Sequence, residues 1–339
     1  MDGTENVEEQ VIKGKITRKV FSRIGWALFT ILAVATVLQF AGAALTRIFY
    51  PGLFDKSWFS ELLSLIPLYI VAFPLGYLIL KRVPAERPTE YKISFGKLME
   101  FLLMCFCIMY IGNFIGNAIS MTISDIRGSD FENPLLKLLT SSNIYLNFVL
   151  LVMVAPVLEE LVFRKLLIDR IRIYGEATAI LVSGLMFGLF HENLFQFFYA
   201  FGIGSMFAYI YMRTGRLRYT IILHAIINLF SGVFPIIIAK NIDLSSISKL
   251  GSSDPQKILD FAQNNIWQLI VVGVYGIVIM AAFLGGLILL IEKRKNILLI
   301  PAEKQLNKGT RFKTVFINVG MLLFVVLALG LMTYSAIVL

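Results

Sequence analysis

Nine apolar segments divide this 339-residue chain, and they limit what it can fold into. A helix needs about 20 such residues to cross the hydrocarbon core of a bilayer. Charged residues make up only 16% of the chain, against about 25% in soluble proteins. The sequence therefore predicts an all-α, polytopic membrane bundle of eight to nine transmembrane helices. The predicted spans are residues 25–45, 62–80, 98–121, 144–163, 177–191, 195–212, 219–239, 267–291 and 314–338, of which the fifth is short.

Basic residues are concentrated between alternate spans. If the N-terminus is cytoplasmic, 24 of the 31 Lys and Arg residues lie on the inside, in segments 1–24, 81–97, 164–172, 213–218 and 293–313. Cytoplasmic loops are enriched in Lys and Arg, so we expect an integral protein of the plasma membrane with its N-terminus inside. The net charge of +9 fits contact with lipid headgroups. No nucleic-acid motif is present, and we expect no nucleic-acid partner.

Small and sulfur-containing residues in the spans predict packing rather than chemistry. The pairs Gly112/Gly116 and Gly184/Gly188 are spaced to let helices approach closely. The only cysteines, Cys105 and Cys107, are two residues apart on a helix pattern and are expected to be core residues. Residues 1–24 lack the layout of a signal peptide and are predicted to form a cytoplasmic tail.

Two glutamates interrupt the fourth span, in APVLEELVFRKLL (155–167). A carboxylate at the bilayer centre costs roughly 2.5 to 3.5 kcal/mol on insertion scales, so such a residue indicates a functional site. Glu160 and Arg164 are four residues apart and are expected to form an ion pair on one helix face. Glu159 lacks that partner and is a candidate general base. The alternative is that both glutamates pair with Arg164 and Lys165 at the cytoplasmic edge.

The chain has two histidines, and both lie in or beside predicted spans. Histidine is rare there unless it faces the protein interior or a wet cavity. His191 ends the apolar run FGLFH and is followed by polar residues, which indicates a broken or re-entrant helix or an ordinary turn outside the membrane. Phe195 stands where a zincin motif would require a second histidine.

His224 and Asn228 are one helical turn apart and share a face. An imidazole and a carboxamide on one face can both donate hydrogen bonds to a developing oxyanion. They can equally join two helices, because Asn and His form interhelical hydrogen bonds in membranes. The sequence leaves both interpretations open.

Three motifs, E-E-x-x-x-R, F-x-x-x-H and H-x-x-x-N, follow one another on successive membrane segments. In this order they resemble the CAAX-protease and bacteriocin-processing enzyme family, also called the Abi family, which includes the Ras-converting CAAX prenyl protease. The resemblance covers residues 140–240 as a catalytic core, flanked by N-terminal helices in 25–139 and C-terminal helices in 241–339. The matching residues are Glu159, Glu160, Arg164, Phe187, His191, His224 and Asn228.

The resemblance implies an intramembrane endopeptidase that hydrolyses a peptide bond of a membrane-associated peptide or a lipidated protein. Glu159 would act as the general base, with His191 as its partner on the attacking water. His224 and Asn228 would form the oxyanion hole. Structural support would come from Glu160, Arg164 and Phe187.

The resemblance leaves the cofactor open. We expect none, and zinc is the alternative, because Glu159, His191 and His224 together are a ligand set that binds zinc in catalytic sites.

Depth is an obstacle to this site. At about 1.5 Å per residue, the predicted span ends place Glu159 and His224 about 8 to 9 Å deep, but His191 about 21 Å deep. These residues could not then meet. The mismatch disappears if segment 170–180 runs along the interface, or if the helix of His191 is tilted or re-entrant.

Two other classes of function compete with the enzyme. A catalytically silent member of the same fold could act as a bacteriocin-immunity or regulatory protein, but a pure binder has no need for unpaired ionisable groups in lipid. A proton-coupled transporter would show pseudo-symmetric halves, which this sequence lacks. Prenylated C-terminal peptides, peptide-pheromone precursors and bacteriocin leaders are all compatible as substrates. The oligomeric state is not indicated.

Overall fold

Helices form the whole of the regular structure in the described residues, and most of them are apolar. The computed structural model describes residues 3–56, 58–128, 143–241, 255–302 and 304–338. Its helices, numbered in chain order, are α1 (Gly3–Phe49), α2 (Phe59–Leu80), α3 (Phe95–Arg127), α4 (Ile144–Tyr174), α5 (Glu176–Leu189), α6 (Leu194–Thr214), α7 (Leu217–Ile238), α8 (Pro255–Asn264), α9 (Ile266–Asn296), α10 (Lys308–Phe316) and α11 (Val319–Val338). Eight of them are long and apolar enough to span a membrane. The predicted all-α membrane bundle is confirmed.

The fifth predicted span is the exception in length. Helix α5 has 14 residues, which gives about 21 Å at 1.5 Å per residue, whereas a bilayer core is about 30 Å thick. The chain turns at residues 190–193, and α6 packs back along α5. Among the described residues, eight helices are long enough to span a membrane, and the shorter α5 forms a helical hairpin with α6.

The predicted cytoplasmic tail is not separate from the first span. Helix α1 begins at Gly3 and continues to Phe49. Phe21 and Ile24 are completely buried in the bundle core. The polar composition of residues 1–24 suggested a tail, but apolar side chains on one face of this segment pack against other helices. The helix therefore continues across the boundary predicted at residue 24, and the cytoplasmic location of residues 1–24 stays a prediction.

Helix α4 continues well past residue 163, its predicted end. The charged side chains that suggested an end have partners within the bundle. Arg170 Nε donates to the Leu80 carbonyl at 2.8 Å, and the Tyr211 hydroxyl donates to Asp169 Oδ1 at 2.8 Å. Because neighbouring helices satisfy these charges, α4 does not have to leave the bundle where they begin.

The predicted inside segments meet at one end of the bundle. The connectors 81–94 and 297–307 bond through their backbones to the ends of α4 and α6. The contacts are Glu86 N to Asp169 O at 2.6 Å, Tyr91 N to Thr214 O at 2.8 Å and Leu306 N to Tyr174 O at 3.1 Å. Arg213 and Glu176 form an ion pair at the same end, at 2.5 Å. These segments therefore share one end of the bundle, and the cytoplasmic side assigned to that end stays a prediction.

The first and last helices run parallel to each other. The backbone of Gly320 lies directly against Gly25, and the rings of Phe40 and Tyr334 lie 6.2 Å apart further along the same pair. Both helices therefore start at the same face of the bundle. This is the relation expected for a chain whose two ends lie on opposite sides of the membrane.

Glycines bring α5, α6 and α3 into close contact. A Cβ at Gly184 would lie 2.1 Å from Ser205 Oγ and 2.9 Å from the Phe201 carbonyl. A Cβ at Gly112 would lie 2.5 Å from the Tyr199 backbone. The packing role predicted for these small-residue pairs is confirmed. Both cysteines are likewise free and buried in the core, as predicted.

Three prolines, Pro74, Pro156 and Pro235, each follow a short π-helical stretch, and for the last two a side chain of another helix bonds to the carbonyl that the proline leaves free. In these stretches an N–H bonds to the carbonyl five residues earlier, as Ala155 does to Leu150. Pro156 has no N–H to offer to Leu151, and Asn228 Nδ2 donates to that carbonyl instead at 2.8 Å. In the same way, Pro235 has no N–H to offer to the Phe230 carbonyl. The Tyr275 hydroxyl donates to that carbonyl instead, at 2.6 Å. Side chains of neighbouring helices thus replace the missing bonds, as membrane proteins require.

We expect Gly184→Ala to destabilise the protein, because the added methyl group would overlap Ser205 and Phe201. Overpacking of this kind costs about 1–3 kcal/mol. Gly273→Ala is the matched control, since a Cβ there meets nothing within 4 Å. Thermal unfolding in detergent measures both. Equal melting temperatures for the two variants would contradict the close contact of α5 and α6.

Candidate functional site

The centre of the site is a completely buried ion pair within α4. Arg164 Nε lies 3.0 Å from Glu160 Oε2, and neither side chain is exposed. The guanidinium lies 4.5 Å from the ring centre of Phe187 and 5.4 Å from that of Phe207. Aromatic faces attract cations in such positions. The ion pair expected from the i,i+4 spacing is therefore present, and two other helices surround its cation.

Glu160 has a second partner, on α7. Its Oε1 accepts a hydrogen bond from His224 Nδ1 at 3.0 Å. The two oxygens of one carboxylate therefore hold an arginine of the same helix and a histidine of another. A carboxylate oxygen can only accept a hydrogen bond, so Nδ1 of His224 carries a hydrogen. The other ring nitrogen, Nε2, faces Glu159. The sequence predicted structural support from Glu160 together with Arg164, and in the structure Glu160 also bonds to His224 and sets its orientation.

Glu159 points to a different side of α4, as predicted, and it is only partly exposed at 16%. Its Oε1 accepts a hydrogen bond of 2.8 Å from the Tyr69 hydroxyl. Its Oε2 faces His224 Nε2 at 3.8 Å, beyond the length of a hydrogen bond. The alternative of two glutamates paired with Arg164 and Lys165 at the membrane edge does not describe this arrangement.

His191 lies at the end of the short helix α5, where the chain turns back. Its Nδ1 donates to the Phe187 carbonyl at 2.8 Å, since a carbonyl oxygen can only accept. In the neutral ring, Nε2 then carries a lone pair that can accept a hydrogen from water. The Phe187 ring contacts His191 at 4.8 Å and His224 at 5.8 Å between ring centres. Both imidazoles thus pack on one aromatic side chain, and His191 interacts electrostatically with Glu159.

The expected mismatch in depth between Glu159 and His191 is wrong. It assumed that α4 ends near residue 163, whereas the helix continues to Tyr174, at the same end of the bundle where α5 begins with Glu176. Glu159 and His191 are each 15 residues from these ends, which gives about 22 Å for both at 1.5 Å per residue. No interfacial segment at 170–180 is needed.

Asn228 is held differently from His224, although the two share a helix face. Its carboxamide nitrogen donates to the Leu151 carbonyl of α4, the carbonyl that Pro156 leaves free. A carboxamide has two N–H donors, so at most one remains for a substrate oxygen. The bond to Leu151 matches the interhelical interpretation of this residue. It does not test the predicted oxyanion role.

The donor arrangement does not fit the zinc alternative. In the described part of the chain, no three His, Cys, Asp or Glu side chains are grouped closely enough to hold a metal ion. As placed, Glu159, His191 and His224 therefore do not form a ligand set.

Tyr69 is the residue of the site that the sequence analysis missed. It comes from α2, 90 positions before Glu159. A tyrosine in the apolar run SLIPLYIVAFP is a recognisable polar interruption. Nothing in the sequence, however, indicates which carboxylate its hydroxyl reaches.

The fold and the site define a polytopic helical membrane protein with a buried glutamate–histidine centre. Residues 141–230, which contain all seven motif residues, match a family model described as Type II CAAX prenyl endopeptidase Rce1-like. The family resemblance predicted from the three motifs is confirmed by this match.

Two curated bacterial proteins are similar to this chain. It is 28% identical over 166 residues to the putative membrane peptidase YdiL of Bacillus subtilis (strain 168), which covers 48% of this chain and 67% of YdiL. It is also 28% identical over 175 residues to the membrane-embedded CAAX protease MroQ of Staphylococcus aureus (strain USA300), which covers 47% of this chain and 69% of MroQ. No solved structure shows a significant match. The similarity thus lies in about half of the chain.

We expect Glu160→Gln to lower both stability and activity, because it leaves Arg164 buried without a counter-charge and weakens the hold on His224. Removing one partner of a buried ion pair costs about 3–5 kcal/mol. Glu86→Gln is the control, since Glu86 is 67% exposed in its pair with Arg172 and exposed pairs contribute about 0–1 kcal/mol. Thermal unfolding in detergent gives the comparison, and equal melting temperatures would contradict this role of Glu160.

Proposed function

We propose that this protein is an intramembrane endopeptidase that hydrolyses a peptide bond of a membrane-associated peptide or lipidated protein. The observation that supports this proposal best is that two adjacent carboxylates have different partners. Glu160 is occupied by Arg164 and His224, whereas Glu159 keeps one oxygen directed at His224 without a hydrogen bond to it. A carboxylate in that position can take a proton from water.

In the proposed first step, Glu159 and His191 hold the attacking water. Oε2 of Glu159 and the lone pair on Nε2 of His191 each accept one of its two hydrogens. The oxygen of this water then faces the scissile carbonyl carbon. Glu159 takes one proton as the C–O bond forms, and the carbonyl oxygen becomes an oxyanion.

In the proposed mechanism His224 carries a hydrogen on both ring nitrogens, and in this form it stabilises the oxyanion. The Glu160 carboxylate on Nδ1 fixes the orientation of the ring, as a buried carboxylate does for a catalytic histidine. Nε2–H can then donate to the oxyanion, together with the remaining N–H of Asn228. Return of the proton from Glu159 to the leaving amine breaks the C–N bond and completes the hydrolysis.

The second candidate function, a catalytically silent immunity or regulatory protein of the same fold, requires no such arrangement. An uncharged site would bind a membrane peptide without the cost of placing Glu159 in lipid. Prenylated C-terminal peptides, pheromone precursors and bacteriocin leaders all remain candidate substrates of the enzyme.

We expect Glu159→Gln to abolish cleavage while the protein stays folded. Loss of a general base costs about 10²- to 10⁴-fold in rate. Wild type, Glu159→Gln and the exposed control Glu86→Gln are incubated in detergent with peptides extracted from membranes, in water enriched in ¹⁸O. Mass spectrometry then detects new C-termini that carry one ¹⁸O. Cleavage by Glu159→Gln at the wild-type rate would refute the mechanism, and no product from wild type with any peptide would favour the silent protein.

We expect cleavage to persist after dialysis against a metal chelator. A zinc-bound water would be lost with its ion, and activity that depends on it would stop. Metal analysis of the purified, active protein accompanies the assay. Stoichiometric zinc whose removal and return switches activity off and on would overturn the metal-free mechanism and the oxyanion role assigned to His224.

A further inference from the structure

We propose that Tyr69 is a positioning residue for Glu159, which selects the carboxylate oxygen that takes the proton from water. The inference rests on the function proposed above and adds a residue from outside the matched region 141–230. Its basis is the hydrogen bond of 2.8 Å from the Tyr69 hydroxyl to Glu159 Oε1.

The two oxygens of Glu159 are in different environments. Oε1 accepts the Tyr69 hydrogen, and Oε2 faces His224 Nε2 at 3.8 Å. A phenol has a single hydrogen to donate, so this bond commits Tyr69 to Glu159. With Oε1 engaged, Oε2, the oxygen directed towards His224, is the one left to accept the proton.

The rest of α2 holds the Tyr69 hydroxyl in place. The side chain is only 8% exposed, and it lies in the π-helical stretch Ile66–Ala72. Its ring packs edge-on against Phe73 at 5.1 Å, and Phe73 in turn lies 6.0 Å from Phe190, the neighbour of His191. One aromatic chain therefore fixes the Tyr69 hydroxyl relative to both the general base and the helix of His191.

A carboxylate rotates about its last bond unless something holds it. Terminal torsions of this kind are broad, so the bond from Tyr69 is what keeps Oε2 towards the water. Loss of the hydroxyl should slow the chemical step and leave substrate binding unchanged, because Tyr69 touches the base. Misplacement of a reacting group by about 1 Å can cost about 100-fold in rate.

The test compares Tyr69→Phe with Tyr145→Phe, a control that removes a hydroxyl from an 80% exposed position on the helix of Glu159. Both are assayed with Glu159→Gln and with the double variant Tyr69→Phe/Glu159→Gln. We expect Tyr69→Phe to lower kcat about 10- to 100-fold with KM unchanged. The control should match wild type, and the double variant should be no slower than Glu159→Gln alone.

The outcomes separate the two proposals. An active Glu159→Gln would refute the role of Glu159 as general base, and with it the role of Tyr69, whereas no cleavage by wild type would refute the proposed function itself. An inactive Glu159→Gln beside a Tyr69→Phe variant with wild-type kcat, or with a raised KM and unchanged kcat, would refute only the role of Tyr69. If Tyr69→Phe does not fold, 4-fluorophenylalanine at position 69 fills the space of the hydroxyl without a donor, and the same fall in kcat is expected from it.

Discussion

A single buried cation organises the centre of this membrane protein. Arg164 lies inside the bundle with no exposed surface, and an ion placed there without a counter-charge would cost several kcal/mol. Glu160 supplies that charge, and the rings of Phe187 and Phe207 cover the guanidinium. Because Glu160 also holds His224, the requirement to neutralise one charge brings four helices to a common point. The orientation of a candidate catalytic histidine thus depends on a structural ion pair.

Prolines contribute to the same arrangement through the bonds that they cannot make. A carbonyl without a partner in lipid costs several kcal/mol, so the carbonyl that Pro156 leaves free must be satisfied from another helix. Asn228 does so at Leu151, and this bond joins α4 to α7 beside the ion pair. Asn228, which is predicted to bind the oxyanion, therefore also supplies the hydrogen bond that the Leu151 carbonyl of α4 lacks. Both roles are possible at once, because the carboxamide has a second N–H.

Much of the fold could be predicted from hydropathy and charge. Each of the nine predicted segments corresponds to a helix, since a run of apolar side chains has few alternatives in a bilayer. Helix ends were predicted less well. Charged residues after position 163 indicated that the helix leaves the membrane there. Partners on other helices instead keep Asp169 and Arg170 buried within the bundle. Whether a charge marks a helix end depends on tertiary partners, and the sequence of one helix does not contain them.

The sequence by itself determined the three motifs and which of their residues pair within a helix. The i,i+4 spacing placed Glu160 beside Arg164 and directed Glu159 elsewhere, because helix geometry alone sets those directions. Only the tertiary structure decided that Glu160 holds His224 and that Tyr69 of a distant helix reaches Glu159. Contacts between helices depend on how each helix is rotated and how closely glycines let it approach its neighbours, and these quantities follow from the packing of the whole bundle.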